Sequence, residues 1–208
     1  MRKQTRFHGE TDNSHYELKR DLRMRFADKV GADTCFDLFC GTGRLTSAIW
    51  APRFGRVVCV DKSAKQLEDF RGAPNVDVYC GDNQKLFTGL VVRYGWPDVF
   101  DLDAYGYPDN MVHRIMLARS AAKPFAICAT NGGMASRQRA SENAVPISWG
   151  YGPKLTFAQY AAAMDATATC DYTHLREWAA EGGKTVSEFE SATVGAMCYW
   201  AALIEPGE

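Results

Sequence analysis

Asp37, Asp61, Asp82 and Asp103 each end or follow a short apolar run, and the first leads into Asp37-Leu38-Phe39-Cys40-Gly41-Thr42-Gly43-Arg44. Glycines at such a point let the backbone turn tightly and approach a ligand. A helix starting there adds free N–H groups and the positive end of its dipole. A carboxylate at Asp61 can accept hydrogen bonds from both hydroxyls of a ribose. One at Asp82 can take the exocyclic amine of an adenine. Each aspartate also has a plainer reading as a helix N-cap, and the glycine loop has one as a tight strand-to-helix turn. Two other nucleotide motifs are excluded. Aligned on Gly41 and Gly43, the third glycine of GxGxxG falls on Thr46, and no Gly-Lys-Ser/Thr of a P-loop follows.

The elements that must position these residues alternate. Apolar runs at Thr34–Phe39, Arg56–Val60, Val76–Cys80, Val99–Leu102 and Pro124–Ala129 read as strands. Helical spacing at Gly43–Trp50, Ser63–Phe70, Gln84–Tyr94 and Met111–Ala122 falls between them. The alternation predicts an α/β fold: three layers, Rossmann-like, with helices on both faces of a mostly parallel sheet. Ahead of it, His15–Val30 reads as a helix with an apolar stripe through Leu18, Leu22, Phe26 and Val30. After Gly133 the rhythm fails. Ala135–Tyr151 is loop-like, Phe157–Ala180 is helical with a break expected near Cys170, and Val194–Ile204 supplies the last one or two strands. One domain over 1–208 is expected, divided into an arm and helix (1–33), a core (34–132) and a substrate-side segment (133–208).

The runs FDLFCGTGR, VVCVDKS and VYCGDNQ resemble the first three motifs of class I S-adenosylmethionine-dependent methyltransferases, and the resemblance covers roughly residues 34–132. It implies a seven-stranded sheet and S-adenosyl-L-methionine as cofactor. It also implies a cofactor site formed by Asp37, Phe39, Cys40, Gly41, Thr42, Gly43, Asp61, Lys62, Asp82 and Asn83. Phe39 stands where the family loop usually has its first glycine.

The fourth run, Asp101-Leu102-Asp103-Ala104-Tyr105-Gly106-Tyr107-Pro108, resembles the Asp-Leu-Asp-Pro-Phe-Gly-Ser-Pro segment of tRNA guanine-N2 dimethyltransferases. Ala104 departs from the proline and Tyr107 from the serine. The resemblance implies methyl transfer to an exocyclic base amine, guanine N2-like, with RNA or tRNA favoured over DNA. Asp103, Tyr105 and Asp101 are then the catalytic candidates. Asp103 would accept hydrogen bonds from the amine and receive or relay its proton, and Tyr105 would stack on an extruded base. Asp101 has an alternative: its side chain can point into the opposite layer and bond backbone or a basic residue. Tyr105 and Tyr107 can equally be loop packing.

Between Met111 and Ser141 no acidic residue occurs, while His113, Arg114, Arg119, Lys123, Arg137 and Arg139 do. Arg137 and Arg139, with Tyr107, are the substrate-binding candidates, and Trp149 and Tyr151 offer stacking surfaces. The alternative is a solvated helix face.

A net charge of -1 excludes a globally basic binder. The seven cysteines lack CxxC spacing, and neither they nor the four histidines pair at metal-ligand spacing, so free thiols and no metal are expected. A polar N-terminus and the absence of a run of roughly 18 apolar residues lead to the expectation of a cytoplasmic, membrane-free protein. Two other functions fit the same residues. One is small-molecule methyl transfer under a lid drawn from Ser136–Gly183. The other is a non-catalytic S-adenosylmethionine sensor or partner subunit.

Overall fold

The computed structural model describes residues 15–68, 74–104, 107–120, 122–132, 157–194 and 197–207, with the backbone alone for 157–167. Helix α1 spans Tyr16–Ala27, with Glu17 in its first turn and Arg25 in its last, the favourable pairing with the helix dipole. Its four-residue apolar spacing buries Leu22 and Phe26, and Leu18 and Val30 pack partly against the same cluster. Strand β1 (Thr34–Asp37) leads through the glycine turn to a π-helical turn, Thr46–Trp50, and the short helix α2 (Ala51–Arg53). Then come β2 (Arg56–Asp61), β3 (Val76–Cys80), α3 (Asn83–Tyr94), β4 (Val99–Leu102), α4 (Asp109–Ala118) and β5 (Phe125–Asn131). Helix α5 (Phe157–Glu181) and strands β6 (Lys184–Val194) and β7 (Met197–Pro206) close the chain.

The seven strands lie in the order β3-β2-β1-β4-β5-β7-β6. β1 pairs in parallel with both β2 and β4, so the strand order reverses between β1 and β4. The carboxyl ends of strands at such a reversal form a crevice where open α/β sheets bind ligands. The sheet is mixed, which corrects the expectation of a mostly parallel one. β7 runs antiparallel to β5 on one side and to β6 on the other. Val194 of β6 pairs with Met197 of β7, and the two intervening residues are far too few for a parallel crossover.

Side chains alternate across the strands and build two cores. One face carries Phe36, Val58, Phe100, Ile127 and Trp200 against α3, α4 and α5. The other carries Cys35, Val57, Cys59, Val99 and Cys128 against α1 and the Thr46–Trp50 turn. Helices therefore cover both faces, as expected.

Other expectations are adjusted. Residues 64–68 form turns in place of the described part of the expected Ser63–Phe70 helix. α5 is continuous through Cys170. β6 starts at Lys184, well before Val194. Its outward residues include Glu188 and Glu190, so its apolar content is too low to mark it as a strand by run alone. No helix among the described residues is long and apolar enough to cross a membrane.

Candidate functional site

The turn after β1 depends on two backbone positions that favour glycine. Gly41 has φ +54° and Gly43 has φ +69°, the left-handed region where a Cβ is strained. The Gly43 amide donates to the Cys40 carbonyl at 2.7 Å, and the Ser47 amide donates to the Gly43 carbonyl at 2.9 Å. The loop is tied to β2 twice. The Cys40 amide donates to the Val60 carbonyl at 3.2 Å, and the Gly41 amide donates to Asp61 Oδ2 at 2.9 Å. Asp61 Oδ1 accepts from the Ser63 amide at 2.8 Å. Each carboxylate oxygen keeps further acceptor capacity.

Beside this loop lies a cavity of about 420 Å³. Nine of the sequence candidates line it: Asp37, Phe39, Cys40, Gly41, Thr42, Asp61, Lys62, Asn83 and Asp103. Gly43 shapes the turn without lining the cavity. Asp82 does not line it either. Asp82 is the N-cap of α3, accepting from the Gln84 amide at 2.9 Å, and it faces Lys62 Nζ at 3.5 Å. Burial works against its charged form, yet the Gln84 amide and Lys62 hold its carboxyl below the usual range. Its neighbour Asn83 is the buried one of the pair and donates to the Leu38 carbonyl at 3.0 Å.

Asp37 sits at the floor of the cavity, 2% exposed. Its Oδ2 accepts from the Thr46 hydroxyl at 2.5 Å. Its Oδ1 has no hydrogen-bond partner among the described residues. Burial first, then Asp101 and Asp103, push the Asp37 carboxyl well above its ordinary range, against the pull of Thr46 and Arg23.

The two acids of the fourth strand part company. Asp101, a catalytic candidate from sequence, is fully buried on the α1 face. It accepts from Arg23 Nη2 at 2.8 Å, from Arg23 Nε at 2.9 and 3.0 Å, and from Trp50 Nε1 at 2.8 Å. With its oxygens enclosed by that fork and the indole, it is not among the residues that line the cavity, and it takes the alternative placement, bonded to a basic residue. Asp103, two residues on, is half-buried and lines the cavity. Lys19 Nζ donates to both its oxygens at 3.0 Å. Burial alone would push its carboxyl up, but Arg23 and Lys19, with the Thr130 hydroxyl, hold it below its ordinary value.

The cavity residues that were not among the sequence candidates include Tyr16 and Lys19 from α1, and Arg44 just past the glycine turn. The Arg44 guanidinium lies 4.2 Å over the Tyr16 ring. The signal of the two on α1 is a second stripe, where Tyr16, Lys19 and Arg23 recur at three- and four-residue spacing beside the apolar one.

Three of the cations expected on a basic face have partners within the chain. Arg114 donates to the Gln84 carbonyl and the Thr88 hydroxyl, both at 2.6 Å, and so braces α4 on α3. Arg119 is buried over the Phe125 ring and donates to the Pro97 carbonyl. Lys123 pairs with Asp98 at 2.6 Å, and Asp98 sits at the amino end of β4, away from the cavity edge. Tyr107 is 42% exposed. Tyr105, Arg137 and Arg139, with Trp149 and Tyr151, lie outside the described residues.

Under the same strand ends, on the other face, Asn131 Nδ2 donates to both oxygens of Asp171 on α5, at 3.0 and 3.1 Å. Burial, with Asp109 adding to it against Asn131, raises that carboxyl to about 7.

No protein-family model matches the chain, and no curated protein matches it. Solved structures do. Trm1 from Pyrococcus horikoshii, solved with S-adenosyl-L-methionine, superposes with a TM-score of 0.68 at 13% identity, over 96% of this chain and 57% of that one. The N-methyltransferase NodS from Bradyrhizobium japonicum WM9 gives 0.55 at 11% identity, over 95% of this chain and 99% of that one. Trm5b from Pyrococcus abyssi gives 0.51 at 15% identity, over 89% and 48%. The chain thus spans little more than half the length of Trm1. Its fold is the class I methyltransferase fold.

Proposed function

We propose that a chain with this fold and this cavity is an S-adenosylmethionine-dependent methyltransferase that modifies an exocyclic amine of a nucleic-acid base. A guanine N2-like position in RNA, tRNA included, is favoured over DNA. The observation that carries the reading is Asp37: a buried carboxylate among the residues that line a cavity beside a glycine turn, whose Oδ1 has no hydrogen-bond partner among the described residues. An acid kept well above its ordinary pKa by burial and two like charges is stabilised when a cation arrives. The ammonium and sulfonium of the cofactor fit that need, and Asp61 offers acceptors for a ribose diol. The apolar walls Leu38, Phe39 and Leu45 suit an adenosine moiety.

The bound cofactor would supply an already activated methyl, so the protein's part is mainly position. Asp103 lies where the fourth strand ends at the cavity. Its oxygens accept hydrogen bonds from the acceptor amine and orient the nitrogen lone pair toward the methyl. Asp101 and Arg23 brace the strand end behind it. The Trm1 and NodS likenesses support the methyl-transfer class, and the Asp101-Leu102-Asp103 resemblance supports the amine.

Incubation with methyl-labelled cofactor and, separately, RNA, DNA and a metabolite extract tests the reading. Label is expected in RNA. Label only in the extract selects the small-molecule alternative. Binding of the cofactor with label in none of them selects the sensor. Asp103→Ala is expected to lower transfer by about 10²-fold or more with cofactor affinity within a fewfold, whereas Asp61→Ala weakens cofactor binding itself. Full transfer by the Asp103 variant removes that residue from the chemistry.

A further inference from the structure

Helix α1 meets the cavity along its polar stripe. Lys19 Nζ spans both Asp103 oxygens at 3.0 Å, and Arg23 Nη2 lies 3.8 Å from Asp103 Oδ1 while its main fork closes on Asp101. We propose that α1 belongs to the reaction centre, with Lys19 and Arg23 as positioning residues that keep Asp103 a fixed anionic acceptor which orients the amine and does not carry off its proton. This rests on the methyl-transfer reading above. The acceptor nitrogen forms the new N–C bond as the methyl's bond to sulfur breaks with its electron pair left on sulfur. The surplus proton then passes to bulk water.

The groups around Asp103 bear this out. α1 presents two cations, Lys19 and Arg23. β1 and β4 present two carboxylates, Asp37 and Asp101, and β5 presents the Thr130 hydroxyl. Arg23 is shared with Asp101, so Lys19 is the cation most nearly dedicated to Asp103. Its ammonium also lies 5.3 Å from the Tyr199 ring centre, which leaves it little freedom to leave. Cations hold the Asp103 carboxyl below its ordinary value. A proton carrier works best with a pKa near the working pH, and a lowered carboxyl is a poor one. As an ionised acceptor it is well suited, because charged hydrogen bonds are the stronger and more directional kind.

The test is a carbon-13 NMR titration of the Asp103 carboxyl in the full chain, read beside the pH dependence of kcat. The wild-type midpoint is expected below about 3.9, the ordinary aspartate value. Lys19→Met should raise it by about one unit, and Lys19→Arg should restore it. The acid limb of kcat should move with the midpoint. Arg23→Lys, which keeps the charge, should shift both less than Lys19→Met. An unshifted midpoint in an active Lys19→Met enzyme, or a wild-type midpoint near neutrality, overturns the inference alone. A shifted midpoint in a protein that transfers methyl to no acceptor overturns the functional reading and, with it, the positioning role.

Discussion

Two carboxylates, Asp103 and Asp171, stand at the same edge of the sheet on opposite faces and have opposite electrostatics. Asp103 faces α1, where Lys19 and Arg23 keep it below its ordinary pKa. Asp171 faces β5 from α5, where its paired donor is the neutral Asn131 amide and burial lifts it to about 7. The faces differ in the same way throughout. Behind Asp171 lies an aromatic core in which Phe100 meets Phe36, Phe87, Trp96 and Phe125 at ring-centre distances of 6.0–6.4 Å. Behind Asp103 lies a buried polar stack of Arg23, Asp101, Asp37, Thr46 and the Trp50 indole. Charge in a low-dielectric interior is tolerated where opposite charge and donors come with it, and is otherwise neutralised by a proton. The α1 face has the cations, and they hold Asp103 as an anion. The cavity lies on that side.

Removing the cation is the largest way to break the contrast. Arg23→Met leaves Asp101 buried against the Trp50 indole alone, and destabilisation of about 3–5 kcal/mol is expected in denaturant unfolding. Adding Asp101→Asn should recover the larger part of it, since a neutral amide oxygen still accepts from Trp50. A double variant as unstable as the single one would mean that Arg23 matters for packing rather than charge.

A smaller effect sharpens the other side. Asp171 binds a proton in the folded chain at pH values where the unfolded chain has lost it. Its contribution therefore falls as pH rises from about 4 to about 7 and is flat above. Asp171→Asn should remove that decline, so the variant gains on the wild type most at pH 8 and least at pH 4. Unfolding measured at both values checks it, and equal pH slopes in the two proteins would refute it.

Arg25 and Glu190 provide the smallest effect. Their pair closes at 2.6 Å, but both side chains are about half exposed. Arg25→Ala should cost about 0–1 kcal/mol, and less in high salt. A loss comparable to that of Arg23 would mean that surface charge, not burial, sets the value of α1's cations.

Much of this was legible in the chain. Apolar runs place β2 and β4 almost to the residue, because strands buried on both faces must be continuously apolar. The same rule hides β6, whose Glu190 meets Arg25 of α1 and whose Glu188 meets Lys29 just past that helix, at the sheet's rim. The break anticipated near Cys170 is absent: α5 runs unbroken through it and packs against β6 and α4. The glycine turn and the order of the aspartates marked the cavity, since left-handed backbone and strand-end carboxylates are local properties.

What each aspartate does was not a local property. Composition and spacing determined that an α/β sheet would carry a glycine turn with Asp37, Asp61 and Asp103 at its carboxyl edge. Only the tertiary structure decided that Asp82 caps a helix, that Asp101 is enclosed by Arg23 and Trp50, and that Asp103 alone of the pair reaches the cavity. Each of those outcomes depends on a partner's distance and on burial. Lys19 and Asp103 are 84 positions apart and Arg23 and Asp101 are 78. Across such separations a carboxylate's charge, partners and purpose are set by the fold that brings them together.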